Sequence, residues 1–246
     1  MKCNNRLKEL SFSFLPLKKG ERRVVRSRGR ETLITLLSGE IAVAGTNGLR
    51  CLLGPRSSVF AGPSTSVYIG LNDACTLEVK RHSEIVCVTA ETKKKYDSFP
   101  ISQKAVKKRT VGKPPYCREV HTIISEEQPT DKIIAGETFN MPGQWSSFPP
   151  HKHDKARYPH ETKLEEVYFF KIFPKDRFAL MYCYQRVRGK INGTVHALLD
   201  NDTVAIPSGY HPVSAPPGTQ VYYYWALAGK RKALRMAADE AFSEQK

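Results

Sequence analysis

Three histidines and a glutamate occur in an order that suits chemistry at a metal ion. His151 and His153 are two residues apart, so on an extended strand both imidazoles project from the same face. Glu166 opens an apolar run further along the chain, and His211 follows a tight Pro-Ser-Gly turn. Three nitrogen ligands and one carboxylate leave positions open for water or substrate, which is typical of a catalytic rather than a structural metal site.

Each of these residues has an ordinary alternative role when it stands alone. A single histidine near a turn is most often a surface residue, so the prediction depends on the order His-x-His, Glu-initiated strand, Pro-x-Gly-x-His. Alternation along that strand places Glu166, Tyr168 and Phe170 on one face and Glu165 on the other. Neither Glu165 nor His160, which lies in an insertion, is therefore expected to be a ligand.

The elements that must position these residues are predicted to be β-strands. Short runs rich in β-branched and aromatic residues recur between Gly, Pro, Asn and Asp clusters, at a spacing typical of sandwiches or barrels. Only Ala233–Phe242, rich in Ala and charge, predicts a short C-terminal helix. The predicted strands are Glu31–Leu37, Glu40–Ala44, Ser66–Leu71, Thr76–Lys80, Ile85–Thr89, His121–Ser125, Lys132–Asn140, Glu166–Phe173, Phe178–Arg186, Gly193–Leu199, Thr203–Pro207 and Gln220–Ala228.

The strands form two series. A length of 246 residues suits two small domains, and the polar, basic segment Lys93–Lys113 is predicted to link them. We expect an N-terminal barrel over residues 1–112 and a C-terminal barrel over residues 113–246. The first series contains no His-x-His and no Pro-x-Gly-x-His, so a metal is expected only in the second barrel.

Positive charge is concentrated in the first half of the chain. The net charge is +15, with 22 basic and 9 acidic residues up to Pro115, and 17 and 15 after it. Such a charge favours polyanionic partners. The basic clusters lack interleaved aromatic residues and known nucleic-acid-binding motifs, so a solvated basic surface is the preferred interpretation.

The thiols and the apolar runs predict a cytoplasmic protein. No stretch reaches the roughly 18–20 apolar residues that a membrane span needs, and the N-terminal segment lacks the apolar core of a secretory signal. Six cysteines are scattered without a Cys-x-x-Cys pair, which is typical of reduced thiols: Cys3, Cys51, Cys75, Cys87, Cys117 and Cys183.

The metal motifs also carry a family resemblance. Their order resembles the two motifs of the cupin superfamily of small antiparallel β-barrels. The segments WSSFPPHKHD, LEEVYFF and PSGYHPV, within Lys113–Gly229, are similar to the 5-deoxy-glucuronate isomerases of myo-inositol catabolism. Those enzymes are bicupins related to the 5-keto-4-deoxyuronate isomerases. The resemblance implies a bicupin fold in which the N-terminal barrel is degenerate.

The same resemblance implies a site and a reaction. The ligands would be His151, His153, Glu166 and His211, holding one divalent transition metal: Zn, Mn, Fe, Co or Ni. The reaction would convert 5-deoxy-D-glucuronate, an anionic sugar acid, to 5-dehydro-2-deoxy-D-gluconate. Neither the residues nor the resemblance identifies the general base.

Two further residues are candidate substrate contacts. The substrate carboxylate suits a guanidinium, and Arg118 occupies a place where the family carries a similar Arg-x-Val-His segment. Tyr184, on a predicted strand, is a weaker candidate for a hydroxyl contact. A surface salt bridge for Arg118 and a core position for Tyr184 are the alternatives.

Other functions and an assembly state remain open at this point. One alternative is a cupin isomerase of another uronate, of the 5-keto-4-deoxyuronate ketol-isomerase type. Another is a non-enzymatic cupin that binds sugar or nucleic acid. Because Glu166–Phe173 and Tyr222–Trp225 carry large apolar side chains on both faces, a homo-oligomer, most simply a dimer, is expected.

Overall fold

Antiparallel strands dominate the computed structural model, which describes residues 7–46 and 48–245. An N-terminal unit comprises Glu9–Lys107 together with Thr122–Ile134. A C-terminal unit comprises Lys108–His121 and the chain from Ala135 onward, together with residues 7 and 8. The all-β class is thereby confirmed. The domain boundary at residue 112 stays a prediction, and nothing in the sequence signals that Thr122–Ile134 belongs with the N-terminal unit.

The N-terminal unit is built on one seven-stranded sheet. Its strands run in the order β1-β6-β3-β5-β7, and β2 and β4 pair with β6 and β3. Apolar side chains of β3, β4, β5 and β6 form its buried core. The strands are β1 (Leu10–Leu17), β2 (Arg22–Arg26), β3 (Arg30–Gly45), β4 (Arg50–Arg56), β5 (Ser66–Ile69), β6 (Ala74–Glu91) and β7 (Phe99–Ile101).

Two long strands replace four predicted short ones. The break predicted between the strands Glu31–Leu37 and Glu40–Ala44 is a bulge inside β3 at Gly39, where the register with β6 shifts between Leu36 and Ile41. Gly39 has a φ of +97°, and a Cβ there would lie 2.2 Å from Oγ of Ser83. The glycine is therefore required by a kinked strand packed against its neighbour, and not by a chain reversal.

A buried carboxylate explains why Thr122–Ile134 belongs with the N-terminal unit. Glu31 on β3 is fully buried. Its two oxygens accept hydrogen bonds from the backbone N–H groups of Asp131, Lys132 and Ile133, each at 2.8 Å. The hydroxyl of Tyr68 donates a fourth, also at 2.8 Å. A carboxyl group with four donors is satisfied away from water, so this loop is tied to β3.

The C-terminal unit contains three sheets. A six-stranded sheet has the order β16-β13-β18-β10-β9-β8, a four-stranded sheet has the order β11-β17-β14-β15, and β12 pairs with β19. The strands are β8 (Lys107–Val111), β9 (Arg118–Ile124), β10 (Ile134–Asn140), β11 (Trp145–Ser146), β12 (His151–Lys152), β13 (Glu165–Phe173), β14 (Ala179–Val187), β15 (Lys190–Leu198), β16 (Thr203–Ile206), β17 (Val213–Ser214), β18 (Gln220–Ala228) and β19 (Ala237–Ala238).

Two segments differ from their predicted structure. The predicted linker Lys93–Lys113 contains β7, a 3-10 helix over Gln103–Ala105 and all of β8. The predicted helix Ala233–Phe242 is absent as such, because Ala237–Ala238 form β19 and only Glu240–Gln245 form a short 3-10 helix. In both cases pairing with a neighbouring strand overrides the local sequence preference.

The apolar strand faces on which the dimer prediction depended are buried within a single copy of the chain. Val167 and Phe169 of β13 and Tyr222 and Tyr224 of β18 are fully buried in a single copy of the chain. These faces therefore need no second copy. The homo-oligomer stays a prediction, and these strand faces do not support it.

Five of the six cysteines lie within the described residues. Cys51, Cys75, Cys87, Cys117 and Cys183 are free cysteines, and Cys3 lies outside the described residues. Within residues 7–46 and 48–245, no helix has the length and hydropathy that crossing a membrane requires.

Candidate metal centre

Three of the four predicted ligands converge in the C-terminal unit. His153 follows β12, Glu166 is the second residue of β13, and His211 lies two residues before β17. All three side chains are buried, and their ligand atoms lie within 4.8 Å of one another. No other group of three or more His, Cys, Asp or Glu side chains in the described chain has this spacing.

The backbone selects the tautomer of each histidine. Nδ1 of His153 lies 2.9 Å from the carbonyl oxygen of Leu164, and Nδ1 of His211 lies 2.9 Å from that of Gly209. Because a carbonyl only accepts, Nδ1 of each ring carries a proton. Nε2 of each ring therefore points toward Glu166 and is the nitrogen available to a metal.

Glu166 supplies the negative charge of the group. Its Oε2 lies 3.0 Å from Nε2 of His153 and 3.3 Å from Nε2 of His211. Burial raises the pKa of Glu166, but the neighbouring His153 and His211 outweigh it and lower the pKa to about 2. For His153, burial lowers the pKa, and the hydrogen bond and charge of Glu166 raise it above its ordinary value.

One buried nitrogen tests whether a metal fits here. Nε2 of His211 is fully buried, and although Oε2 of Glu166 lies 3.3 Å away, no atom of the described residues makes a well-oriented hydrogen bond with it. Leaving such an atom unsatisfied costs about 1–3 kcal/mol, so an additional partner is expected in the functional protein. Imidazole nitrogens beside an ionised carboxylate are the donor set of a divalent transition metal, and the residues fit that group.

His151 stands beside the three converging ligands. It is half-buried on β12, and its ring centroid lies 5.0 Å from that of His211. Nδ1 of His151 faces the carbonyl oxygen of Pro149 at 3.3 Å. Burial, followed by the neighbouring His211 and His153, lowers the pKa of His151 to about 3, so the ring is neutral near pH 7. Its place in the ligand set stays a prediction, because it is not part of the converging group.

A hydroxyl cluster that the sequence analysis did not identify lies next to the ligands. Tyr168 packs edge-on against His211 with ring centroids 5.7 Å apart. Its hydroxyl lies 3.0 Å from Oγ of Ser147, which in turn lies 3.5 Å from the hydroxyl of Tyr223. Burial raises the pKa of Tyr168 well above its ordinary value. Alternation along β13 placed Tyr168 on the face of Glu166, and that part of the prediction is confirmed.

The two predicted substrate contacts have different surroundings. Nη1 of Arg118 donates to the carbonyl oxygens of Phe148 at 3.0 Å and Tyr116 at 3.2 Å. Burial lowers the pKa of Arg118, while the neighbouring Tyr223 and Tyr168 raise it, so the guanidinium lies near the hydroxyl cluster. The substrate contact predicted for Arg118 stays a prediction.

Tyr184 is held by the C-terminal tail. Its hydroxyl donates to Oδ2 of Asp239 at 2.7 Å, and Nε of Arg186 donates to both oxygens of Asp239 at 2.8 and 3.0 Å. Backbone N–H of Asp239 donates to the carbonyl oxygen of Pro150 at 2.8 Å. In β19, Ala238 pairs with His151. Asp239 thus fixes the tail beside the strand that carries His151, a role that the Ala-rich tail sequence did not suggest.

The chain is similar to proteins of a known family. A model described as the KduI/IolB family matches residues 2–245. The 5-deoxy-glucuronate isomerase of Geobacillus kaustophilus is 36% identical over 233 residues, which is 94% of this chain and 83% of the relative. The 5-deoxy-glucuronate isomerase of Bacillus subtilis strain 168 is 29% identical over 240 residues, covering 97% of this chain and 88% of the relative.

Solved structures agree with that assignment. An IolB-like protein from Salmonella typhimurium LT2 superimposes with a TM-score of 0.91 at 29% identity, covering 96% of this chain and 90% of that chain. Oxalate decarboxylase from Lactobacillus farciminis has a TM-score of 0.67 at 11% identity over 94% of this chain and 79% of that chain, a likeness of fold alone. The bicupin fold is confirmed, and the chain belongs to the KduI/IolB family of cupin-fold isomerases.

Proposed function

We propose that the chain is a metal-dependent aldose–ketose isomerase that converts 5-deoxy-D-glucuronate to 5-dehydro-2-deoxy-D-gluconate. The observation that carries the proposal is the buried group of His153, Glu166 and His211, with the unpartnered Nε2 of His211. His151 is the proposed fourth ligand. Family membership and relatives that carry this enzyme name, one of them 36% identical, support the substrate.

The reaction moves a proton from the hydroxyl-bearing carbon to the aldehyde carbon by way of an enediolate, and the hydroxyl proton of the first carbon moves to the aldehyde oxygen. A divalent cation held by the four residues supplies a Lewis acid for the negative charge that develops on the substrate oxygens. Glu166 provides the compensating charge of the ligand set. The buried hydroxyl of Tyr168, paired with Ser147, is placed to donate a hydrogen bond to a substrate oxygen.

Arg118 is the proposed partner of the substrate carboxylate. Nη1 is occupied by two backbone carbonyls, which hold the guanidinium plane in place. Its Nε and Nη2 groups make no hydrogen bond with the described residues. Two donors in a fixed plane suit a bidentate contact with a carboxylate. Tyr184 is the weaker candidate, because Asp239 already accepts from its hydroxyl.

Arg118→Lys should raise KM for the sugar acid by about 10–100-fold, since it removes a charge-assisted bidentate contact of roughly 1.5–3 kcal/mol. Metal content should stay unchanged. Arg109→Lys, at an exposed position of β8, is the matched control and should keep the wild-type KM. A wild-type KM in Arg118→Lys would remove Arg118 from the proposal.

The decisive assay incubates metal-loaded protein with 5-deoxy-D-glucuronate and follows the product by NMR. We expect conversion to the 2-ketose, and no conversion after the metal is removed with a chelator. A parallel sample with 5-keto-4-deoxyuronate separates the proposed activity from that of the related ketol-isomerases. Absence of turnover on both substrates, together with DNA binding that falls steeply with salt, would instead support a non-enzymatic binding protein.

A further inference from the structure

Asp154 joins the two chain segments that carry the metal ligands. Its Oδ2 accepts a hydrogen bond from the backbone N–H of Gly209 at 3.0 Å. The carbonyl oxygen of the same Gly209 accepts from Nδ1 of His211 at 2.9 Å. Asp154 directly follows His153, so a residue next to the His-x-His pair holds Gly209, whose carbonyl oxygen orients the histidine of the Pro-x-Gly-x-His turn.

The turn at Gly209 has little freedom to adopt another position. Gly209 has a φ of +91°, and a Cβ there would lie 2.7 Å from the carbonyl oxygen of Tyr184. Tyr210 exchanges two backbone hydrogen bonds with Tyr184, at 2.8 and 2.9 Å. The turn is therefore held by Tyr184 on one side and by Asp154 through the N–H of Gly209.

Two further side chains hold the Asp154 carboxylate in position. Nζ of Lys152 lies 2.6 Å from Oδ1 of Asp154 and 2.6 Å from Oε1 of Glu161. Glu161 is buried, and its Oε1 also accepts from the backbone N–H groups of Asp154 at 2.8 Å and Lys155 at 2.9 Å. The ammonium group of Lys152 contacts both carboxyl groups and holds Oδ1 of Asp154, which leaves Oδ2 directed at Gly209.

We propose that Asp154 is a positioning residue for the metal centre, acting through Gly209 on His211. The inference rests on the proposed function, because it assumes that His211 binds a metal. Loss of the Asp154 carboxylate frees the N–H of Gly209, the residue whose carbonyl oxygen sets the ring plane of His211 and directs its Nε2 toward Glu166. Partners that orient a ligating histidine typically change metal affinity by about 10–100-fold when they are removed.

The test is a titration of metal-free full-length protein with Co²⁺, followed by the visible absorption of the bound ion. Asp154→Ala should weaken Co²⁺ binding by about 10–100-fold and shift the absorption bands, since the ligand geometry changes. Asp154→Asn keeps an oxygen that can accept from Gly209, and it should restore most of the affinity and the wild-type spectrum. Folding of each variant is checked by circular dichroism.

The matched control is Asp200→Ala. Asp200 also accepts from a backbone N–H in the same unit, that of Ile172 at 2.9 Å, and its loss should leave Co²⁺ affinity unchanged. If Asp154→Ala does not fold, Asp154→Ser, whose hydroxyl is too short to reach Gly209, is used in its place with the same expected loss.

Three results would overturn the inference. One is a wild-type affinity and spectrum in Asp154→Ala or, if that variant does not fold, in Asp154→Ser. Another is an equal loss in Asp200→Ala, which would mean a general effect of loop loosening. The third is absence of Co²⁺ binding by wild-type protein, and that result alone also contradicts the proposed metal site.

Discussion

Glu166→Gln is expected to reduce isomerase turnover by about a thousandfold or more and to abolish stoichiometric metal binding. The substitution preserves the size of the side chain and removes the only negative charge among the four proposed ligands. Stabilisation of substrate charge by a bound cation contributes several kcal/mol, and each 1.36 kcal/mol corresponds to about tenfold in rate. The measurements are kcat by NMR and bound metal by elemental analysis, with one ion per chain expected in wild type.

The adjacent glutamate provides the matched control. Glu165 lies on the opposite parity of β13, and its Oε2 accepts from the backbone N–H of Lys8 at 2.6 Å. Glu165→Gln should therefore retain metal and activity. Because the strands around the site are paired independently of a metal, Glu166→Gln should keep the wild-type circular dichroism spectrum. Unaltered activity in Glu166→Gln would show that the ligand assignment is wrong, and an unfolded variant would indicate a structural site.

Asp239→Ala is expected to weaken Co²⁺ binding by about tenfold or more and to lower the thermal midpoint by several degrees. Loss of the carboxylate leaves the buried hydroxyl of Tyr184 without its acceptor, at a cost of about 1–3 kcal/mol. It also detaches β19 from Arg186, so that β12 loses support on the side where Ala238 pairs with His151. Calorimetry and the Co²⁺ titration measure the two effects.

Acid should remove part of this difference. Burial raises the pKa of Asp239, but its hydrogen bonds with Arg186 and Tyr184 outweigh burial and lower the pKa below 3.8. A carboxyl group whose pKa is lower in the folded than in the unfolded chain contributes its full stabilisation at pH values above the unfolded-state pKa. It loses that contribution as the pH falls through the folded-state pKa. Wild type and Asp239→Ala should therefore converge in stability in strongly acid solution. A pH-independent difference would contradict the role given to the charge.

Tyr184→Phe separates two explanations for Tyr184. If the hydroxyl only supports Asp239, the variant should lose some stability and keep its KM. A KM raised about tenfold with unchanged Co²⁺ affinity would instead support the substrate contact that was predicted from the sequence. The readouts are steady-state kinetics and the Co²⁺ titration on the same preparation.

Alternation and motif order were sufficient to predict three strands near the site, β13, β16 and β18, and three residues that converge there. On β13, a period of two separated Glu166 from Glu165, because that strand keeps an unbroken register with both of its neighbours. Gly39 shows where such reasoning fails. A glycine in a bulge and a glycine in a turn look the same in a sequence, and only the approach of Ser83 distinguishes them.

The partners that orient the ligands were beyond prediction for a different reason. Asp154 and Gly209 form a hydrogen bond only because two loops that are distant in sequence lie side by side in the fold. No local sequence pattern indicates this contact. Ala237–Ala238 likewise have the composition of a helix and form a strand because β12 offers an edge to pair with. Side-chain types and spacing identified what could bind a metal, whereas the hydrogen bonds that fix each ring depend on the folded structure.

The pairing of β12 with β19 also determines when, during protein synthesis, the proposed metal centre can form. A ribosome makes His151 well before Ala238, and chains fold from the N-terminus as they are made. The N-terminal unit needs nothing beyond Ile134 and can form early. The strand that carries His151, in contrast, lacks its partner until residue 239 has been translated. Metal loading of a nascent chain would therefore lag behind the folding of its first barrel, and a product that ends before Ala237 would be a folded chain with an incomplete site.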